Sequence, residues 1–318
     1  MMDVAAPQAD GRAHYRHEAF LYANQDEFFD TALRFILDAI AADEPILVIL
    51  SAEKISEIRS RLNGRSRAVL FAEMSDIGDN PAHIIPAWDD FLNGNTAPGT
   101  SFRGIGEPIV AGQSPAKLAE CQRHEALLNI AFANPEFWLL CPYDASVMSN
   151  EVIDEARRTH PFMNENGFSH SSSTFAGPEV LSEPYRAPLP DPPEGVVSLW
   201  FQEGDLGDVR EHVTSRAVRA GMKRDRIDDL VVATNEIATN SLRYGGGRGS
   251  LRAWEEAGWV ICEISDDGVI EDPLTGRLRP SIHKSGGRGL WLANQLCDLV
   301  LTRALPPGNV TRLHMRRG

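Results

Sequence analysis

Hydrophobic positions in the first half of the chain follow two rhythms. HEAFLYA (17–23) reads as a strand, and PILVIL (45–50) is a continuous apolar run of strand length, the pattern of a strand buried on both faces. Between them Phe28, Phe29, Leu33, Ile36, Leu37 and Ile40 recur at helical spacing and predict a helix over 26–41. A capped helix follows at 51–62, a strand in AVLFAE (68–73), a helix at 115–132, a strand in FWLLCPY (137–143) and a short helix at 152–158. This βαβα order predicts an α/β domain with a mainly parallel sheet.

The second half has a different order. VVSLWFQ (196–202) predicts a strand, and two long helical segments follow at about 206–220 and 224–244. Four strand-like segments come next, at 250–256, 259–265, 299–304 and 310–316, interrupted by a helix near 289–297. Short turns such as Glu255-Glu256-Ala257-Gly258 predict antiparallel hairpins. The expectation is an α+β domain, an α/β sandwich of a mixed sheet with helices on one face. Between the halves, six prolines fall from Pro178 to Pro193 with almost no apolar periodicity. Proline removes donors and favours extended chain, so the stretch reads as a semi-rigid linker. The predicted division is 14–175, a linker over 176–195, and 196–318.

Composition narrows the function. A chain of 318 residues suits two domains with cores of their own. A net charge of -14 repels phosphate backbones, so no direct nucleic-acid partner is expected. Cys121, Cys141, Cys262 and Cys297 form no CxxC pair, which suits a reducing cytoplasm. The start MMDVAAPQADGR has no apolar targeting core, and no run approaches 18 apolar residues. A cytoplasmic protein with no membrane partner is the expectation.

The chemistry concentrates in three segments of the second half. In VVATNEIATNSLRYGGG (231–247), Glu236, Asn240 and Tyr244 stand on one helix face, while Val231, Val232, Ile237 and Leu242 are expected to face a core. A carboxamide oxygen is a neutral hard ligand for Mg²⁺, and a carboxylate one turn away can orient water or accept a proton. An ordinary amphipathic helix with a wet polar face fits the same spacing. Next, ICEISDDGVIEDP (261–273) runs a strand into Asp266-Asp267-Gly268, where a carboxylate can accept a hydrogen bond from an exocyclic amine. Last, KSGGRGLWLANQL (284–296) opens an apolar helix with glycines, offering bare N–H groups at a positive helix end.

Together these segments resemble the GHKL ATPase superfamily, which includes histidine kinases, type II topoisomerases and anti-sigma kinases. ExxxNxxxY matches its N box, Asp266-Asp267-Gly268 the first glycine box, and Gly287-Arg288-Gly289-Leu290 the second. TNEIATNSLRYG and GGRGLWLANQLCD resemble the anti-sigma-factor serine kinase branch most. The resemblance implies ATP and Mg²⁺ as cofactors, with Asn240 on Mg²⁺, Asp266 on adenine and Glu236 as general base toward a partner's serine. Gly268, Gly287 and Gly289 would let backbone approach the nucleotide, with Lys284, Arg288, Leu290 and Thr311 also at the site. It implies a sigma factor or an anti-sigma antagonist as partner, and leaves a homodimer open. This sequence departs from the pattern at Ile270, where a second glycine is expected, at Ser285, where an arginine is often found, and at Gly308-Asn309, where Gly-Thr is expected. The alternatives are a nucleotide-responsive binding protein without catalysis and, more weakly, a sensor histidine kinase.

The first half resembles the MEDS sensory domain in HEAFLYANQDEFF, FRGIGEP, AECQRHEALLN, LLCPYDA and RRTHP. That resemblance implies a relative of P-loop α/β ATPases. SAEKISE follows PILVIL where a P-loop would stand, so no triphosphate cradle is expected. Three candidate features remain in this half. Arg123-His124-Glu125 looks like a phosphoacceptor box without a second helix. Cys121 and His124, one helical turn apart, could share a metal with His17 or Cys141, but a buried thiol and a hydrogen-bonded core histidine are the favoured reading. Arg103, Glu107, Tyr143, Asp144 and His160 fall near strand ends, where α/β folds place ligands, though loop capping accounts for them equally.

Overall fold

The computed structural model describes residues 15–77, 80–94, 99–177, 187–280, 287–305 and 308–318. In chain order the first half forms β1 (Tyr15–Tyr22), α1 (Gln25–Ala41), β2 (Ile46–Leu50), α2 (Ala52–Arg61), β3 (Leu70–Glu73), α3 (Met74–Ile77) and α4 (Ile84–Asn93). It continues with β4 (Phe102–Gly106), α5 (Pro115–Ala131), β5 (Phe137–Asp144), α6 (Asn150–Thr159), β6 (Phe162–Glu165) and β7 (Phe168–Ser171). The second half forms β8 (Leu199–Gln202), α7 (Leu206–Arg219), α8 (Arg224–Tyr244), β9 (Arg248–Glu256) and β10 (Trp259–Asp266). It ends with α9 (Arg288–Leu296), β11 (Leu299–Leu305) and β12 (Gly308–Arg316).

The chain divides into two compact units. The first comprises Met1–Glu73, Leu92–Ala111 and Leu128–Gly177. Its seven-stranded sheet runs β3-β2-β4-β5-β1-β6-β7, and every pairing is parallel except the β6–β7 hairpin. Asn24 caps α1 by accepting from the Glu27 N–H at 3.0 Å. The helix then buries Phe28, Phe29, Ala32, Phe35 and Ile36 against Phe20, Tyr22, Val48 and Leu140, with Leu33, Leu37 and Ile40 at the margin of that core. All five residues of β2 are buried, as the unbroken apolar run predicts. β4 is an addition to the predicted elements. Two glycines and an arginine in five residues hide its strand character, yet it sits between β2 and β5. The β6–β7 turn is Asn166-Gly167, both left-handed, the two-residue hairpin signal that NG carries.

The second unit comprises Met74–Phe91, Gly112–Leu127 and Pro178–Gly318. Its five-stranded sheet runs β11-β12-β10-β9-β8 and is antiparallel at every pairing, where a mixed sheet was expected. The reason lies in the connections. The chain leaves β10 through α9 to the edge strand β11, and the tight return places β12 between β11 and β10, antiparallel to both. Ala257 and Gly258, both at positive φ, turn β9 into β10.

Val209, Val213 and Ala217 of α7 and Ile227, Leu230, Ala233, Ile237 and Ala238 of α8 pack on Leu251, Val260, Cys262, Ile264 and Leu313 of the sheet. Val231 and Leu242 border this core, but Val232 is exposed. Five residues from Ile237 is about 500°, which turns Val232 some 140° from the buried stripe. Residues of the opposite strand parity hold Glu263, fully buried, between Arg252 Nε at 2.9 Å and Arg312 Nε at 2.8 Å. Arg312 also donates to the Pro190 carbonyl at 2.7 Å, so part of the proline-rich stretch is fastened to this sheet. The two segments from the first half belong to this unit through comparable contacts. Asn80 Nδ2 donates to the Asn294 carbonyl at 3.0 Å, and buried Glu120 pairs with buried Arg277. All four cysteines are buried and free, and among the described residues no helix is long and apolar enough to cross a membrane.

Candidate functional site

Three elements of the second unit converge on one cavity. Asp266 ends β10, paired across the ladder with Asn309 of β12. Its carboxylate is held at both oxygens. The Ser241 hydroxyl donates to Oδ2 at 2.6 Å, and the Gly268 N–H donates to Oδ1 at 2.9 Å. Glycine makes this approach possible at the end of α8, where a Cβ on Gly245 would lie 2.6 Å from Asp266 Cγ. Each carboxylate oxygen keeps a further lone pair for a donor in the cavity that Asp266 lines.

The second approach is that of α9 to α8. Gly287 is the N-cap in the left-handed region, with φ 79°, and supplies no side-chain cap. Gly287 thus leaves the first turn of α9, the positive end of the helix, without a side-chain cap. Gly289 in that first turn lies against α8 so closely that a Cβ there would stand 2.8 Å from Asn240 Nδ2 and 3.1 Å from Glu236 Oε2. A carboxylate, a carboxamide and a helix N-terminus are thereby brought to one place.

The cavity has a volume of about 280 Å³. Asn240, Asp266, Asn309 and Thr311 give it polar walls, and Ile237, Ile270 and Leu290 give it an apolar one. Of the residues expected at the site, Asn240, Asp266, Gly268, Gly287, Leu290 and Thr311 line this cavity. Glu236 adjoins it across Gly289, and Arg288 is exposed at the start of α9. Lys284 and Ser285 lie outside the described residues. Ile270 stands outside the left-handed region and packs partly against the core, so it serves as wall where a glycine would leave bare backbone. Asn309 Nδ2 donates to Thr311 Oγ1 at 3.3 Å, and a Cβ on Gly308 would collide with the Asp266 carbonyl at 2.0 Å. Ser241 and Gly245 are site residues that the sequence reading passed over. Their signal was a small polar residue and a glycine one helical turn apart, directly after the Asn240 turn.

In the first unit, Glu107 is the strand-end residue that gathers partners. Lys54 Nζ lies 2.6 Å from both its oxygens, and the Tyr22 hydroxyl donates to it at 3.0 Å. Burial raises the Glu107 carboxyl while Lys54 opposes the rise, and burial with the neighbouring Glu107 raises the Tyr22 phenol. Lys54 thus spends its charge on a carboxylate where a P-loop lysine would meet phosphate. Asp144 caps its own loop by accepting from the Ser146 N–H at 3.1 Å. His124 is buried, and burial lowers its imidazole to about 4, an environment unlike that of an accessible phosphoacceptor. Burial likewise pushes the Cys121 thiol up to about 12.

Comparison with known families finds two matches along the chain. Residues 16–161 match the model of the MEDS domain, the methanogen/methylotroph, DcmR sensory domain. Residues 199–315 match the histidine kinase-like ATPase domain. The chain thus joins a segment similar to the MEDS sensory domain to one similar to the histidine kinase-like ATPase domain. No curated protein matches it.

Proposed function

We propose that this protein is a cytoplasmic signalling regulator of the anti-sigma type. Its ATPase domain binds Mg·ATP together with a sigma factor or an anti-sigma antagonist, and its sensory domain gates that activity. The observation that carries this reading is the seating of α9 against α8 at Gly289, which joins Glu236 and Asn240 to a helix N-terminus beside the Asp266 cavity. The fit to nucleotide is chemical. The tethered Asp266 carboxylate accepts from an amine, Ile270 and Leu290 offer apolar cover for a base, and the positive N-terminus of α9 suits phosphate. The Asn240 carboxamide oxygen suits Mg²⁺. When bound, Mg·ATP supplies the transferable phosphoryl group. Glu236 then accepts the proton from a serine or threonine hydroxyl of the antagonist. The motif phrases around Asn240 and Gly289 support the anti-sigma branch in particular.

A second reading keeps nucleotide and partner binding without phosphotransfer. Ile270 in the cavity wall, in place of glycine, favours it. Partners captured from the native cell with and without ATP, then incubated with γ-labelled ATP, separate the two. Label on the partner's serine or threonine, reduced by roughly 10²-fold in Glu236→Gln with binding retained, supports the kinase. A partner that binds tightly and takes no label from the wild-type protein leaves ATP-tuned sequestration.

A further inference from the structure

The sensory unit holds a cluster that the nucleotide site does not use. Phe20 and Tyr22 of β1 and Leu140 of β5 enter the core beneath α1 and α2. Strand alternation turns His17 and Cys141 to the other face of the sheet. There Cys141 Sγ lies 3.4 Å from His17 Nε2. His160, directly after α6, sets its ring centroid 3.9 Å from that of His17. All three side chains are buried, and each offers a ligand atom within 4.8 Å of the others.

Both imidazoles are oriented through their second nitrogen. Asn129 Nδ2 donates to the Thr159 carbonyl at 2.8 Å, which turns its Oδ1 to His17 Nδ1 at 3.1 Å. His17 therefore carries its proton on Nδ1 and leaves a lone pair on Nε2, the atom facing Cys141. His160 Nδ1 lies 2.8 Å from the Ala156 carbonyl, which can only accept, so its Nε2 is likewise the lone-pair nitrogen. The Thr159 hydroxyl, 3.0 Å from the same Nδ1, has the Glu155 carbonyl at 3.0 Å to donate to. Imidazoles held by a carbonyl on the far nitrogen are the arrangement found around metal-ligating histidines.

We propose that His17, Cys141 and His160 bind a divalent transition-metal ion of the zinc class. Two imidazole nitrogens and a thiolate suit a borderline ion and suit Mg²⁺ or Ca²⁺ poorly. Bonds of about 2.0 Å to nitrogen and 2.3 Å to sulfur, at a tetrahedral angle, separate the two ligand atoms by about 3.5 Å. The 3.4 Å between Cys141 and His17 is close to that before any ion pulls on them. A fourth ligand comes from a donor outside these three. On binding, the Cys141 S–H bond gives way to a sulfur–metal bond and one proton passes to solvent, with no change of oxidation state. The ion joins β1, β5 and the corner between α6 and β6, so its occupancy reads out as the stability of the sensory unit.

The test is titration of the purified, metal-stripped full chain with Co²⁺. Binding of one equivalent is expected, with a thiolate-to-cobalt charge-transfer band in the near ultraviolet, displacement by Zn²⁺ and release of one proton per ion. Cys141→Ser should lose the band and Cys121→Ala should keep it. Asn129→Ala, which removes the orienting carbonyl of His17 together with the bond to the Thr159 carbonyl, should bind roughly tenfold more weakly. Folded wild-type protein that takes up no stoichiometric Co²⁺, or takes it up without the charge-transfer band, overturns the proposal whatever the variants do. Persistence of the band in Cys141→Ser overturns it too.

Discussion

The Ser241 hydroxyl donates to Asp266 Oδ2 at 2.6 Å, fastening the last turns of α8 to the end of β10. The bond fixes the plane of the Asp266 carboxylate in the cavity. A hydrogen bond to a charged group contributes about 1.5–3 kcal/mol. Ser241→Ala should therefore weaken Mg·ATP binding about tenfold or more while leaving the fold intact. Nucleotide titration beside far-ultraviolet circular dichroism checks it, and unchanged affinity would detach Asp266 from nucleotide recognition.

Gly289 leads to a sharper separation of binding from folding. A methyl group there meets the free ends of the Asn240 and Glu236 side chains, which can swing aside at little cost to stability. They cannot do so and remain where the cavity needs them. Gly289→Ala should hold its melting temperature within a few degrees. The Mg²⁺ concentration needed for half-maximal nucleotide binding should rise about tenfold. An unaltered Mg²⁺ dependence would show that Asn240 does not hold the ion.

Acid should destabilise the protein through two histidines. Burial lowers the imidazole of His124 to about 4, and burial together with Arg312 does the same for His314. Unfolded histidine titrates near 6.5, so between these values the unfolded chain binds more protons than the native one. Stability is thus fully present above pH 6.5 and falls as the pH drops toward 4, by on the order of 2–3 kcal/mol for each histidine. Urea midpoints at pH 7.5 and 4.5 measure the fall, which His314→Gln should reduce. A flat profile in the wild-type protein would contradict it.

The sequence was most legible where period and motif coincide. The unbroken apolar run of β2, the helical spacing in α1 and the long α8 all appear as their patterns predict. Six of the residues expected at the nucleotide site, Asn240, Asp266, Gly268, Gly287, Leu290 and Thr311, line one cavity. Glycine-rich β4 was hidden because its place is set by its neighbours β2 and β5, and local propensity does not report that. Val232 was misplaced because an apolar residue beside the buried stripe need not belong to it. Ser241 escaped because its importance lies in Asp266, 25 residues later. His17, Cys141 and His160 are scattered along the chain, and only strand pairing and the α6 corner gather them.

Isothermal titration of the full chain with ATP in the presence of Mg²⁺ tests the central claim most directly. Saturable, Mg²⁺-dependent binding at a single site is expected, and it should be lost in the double variant Asn240→Ala, Asp266→Ala with its circular dichroism unchanged. No heat at millimolar ATP, or undiminished binding by the double variant, would contradict it.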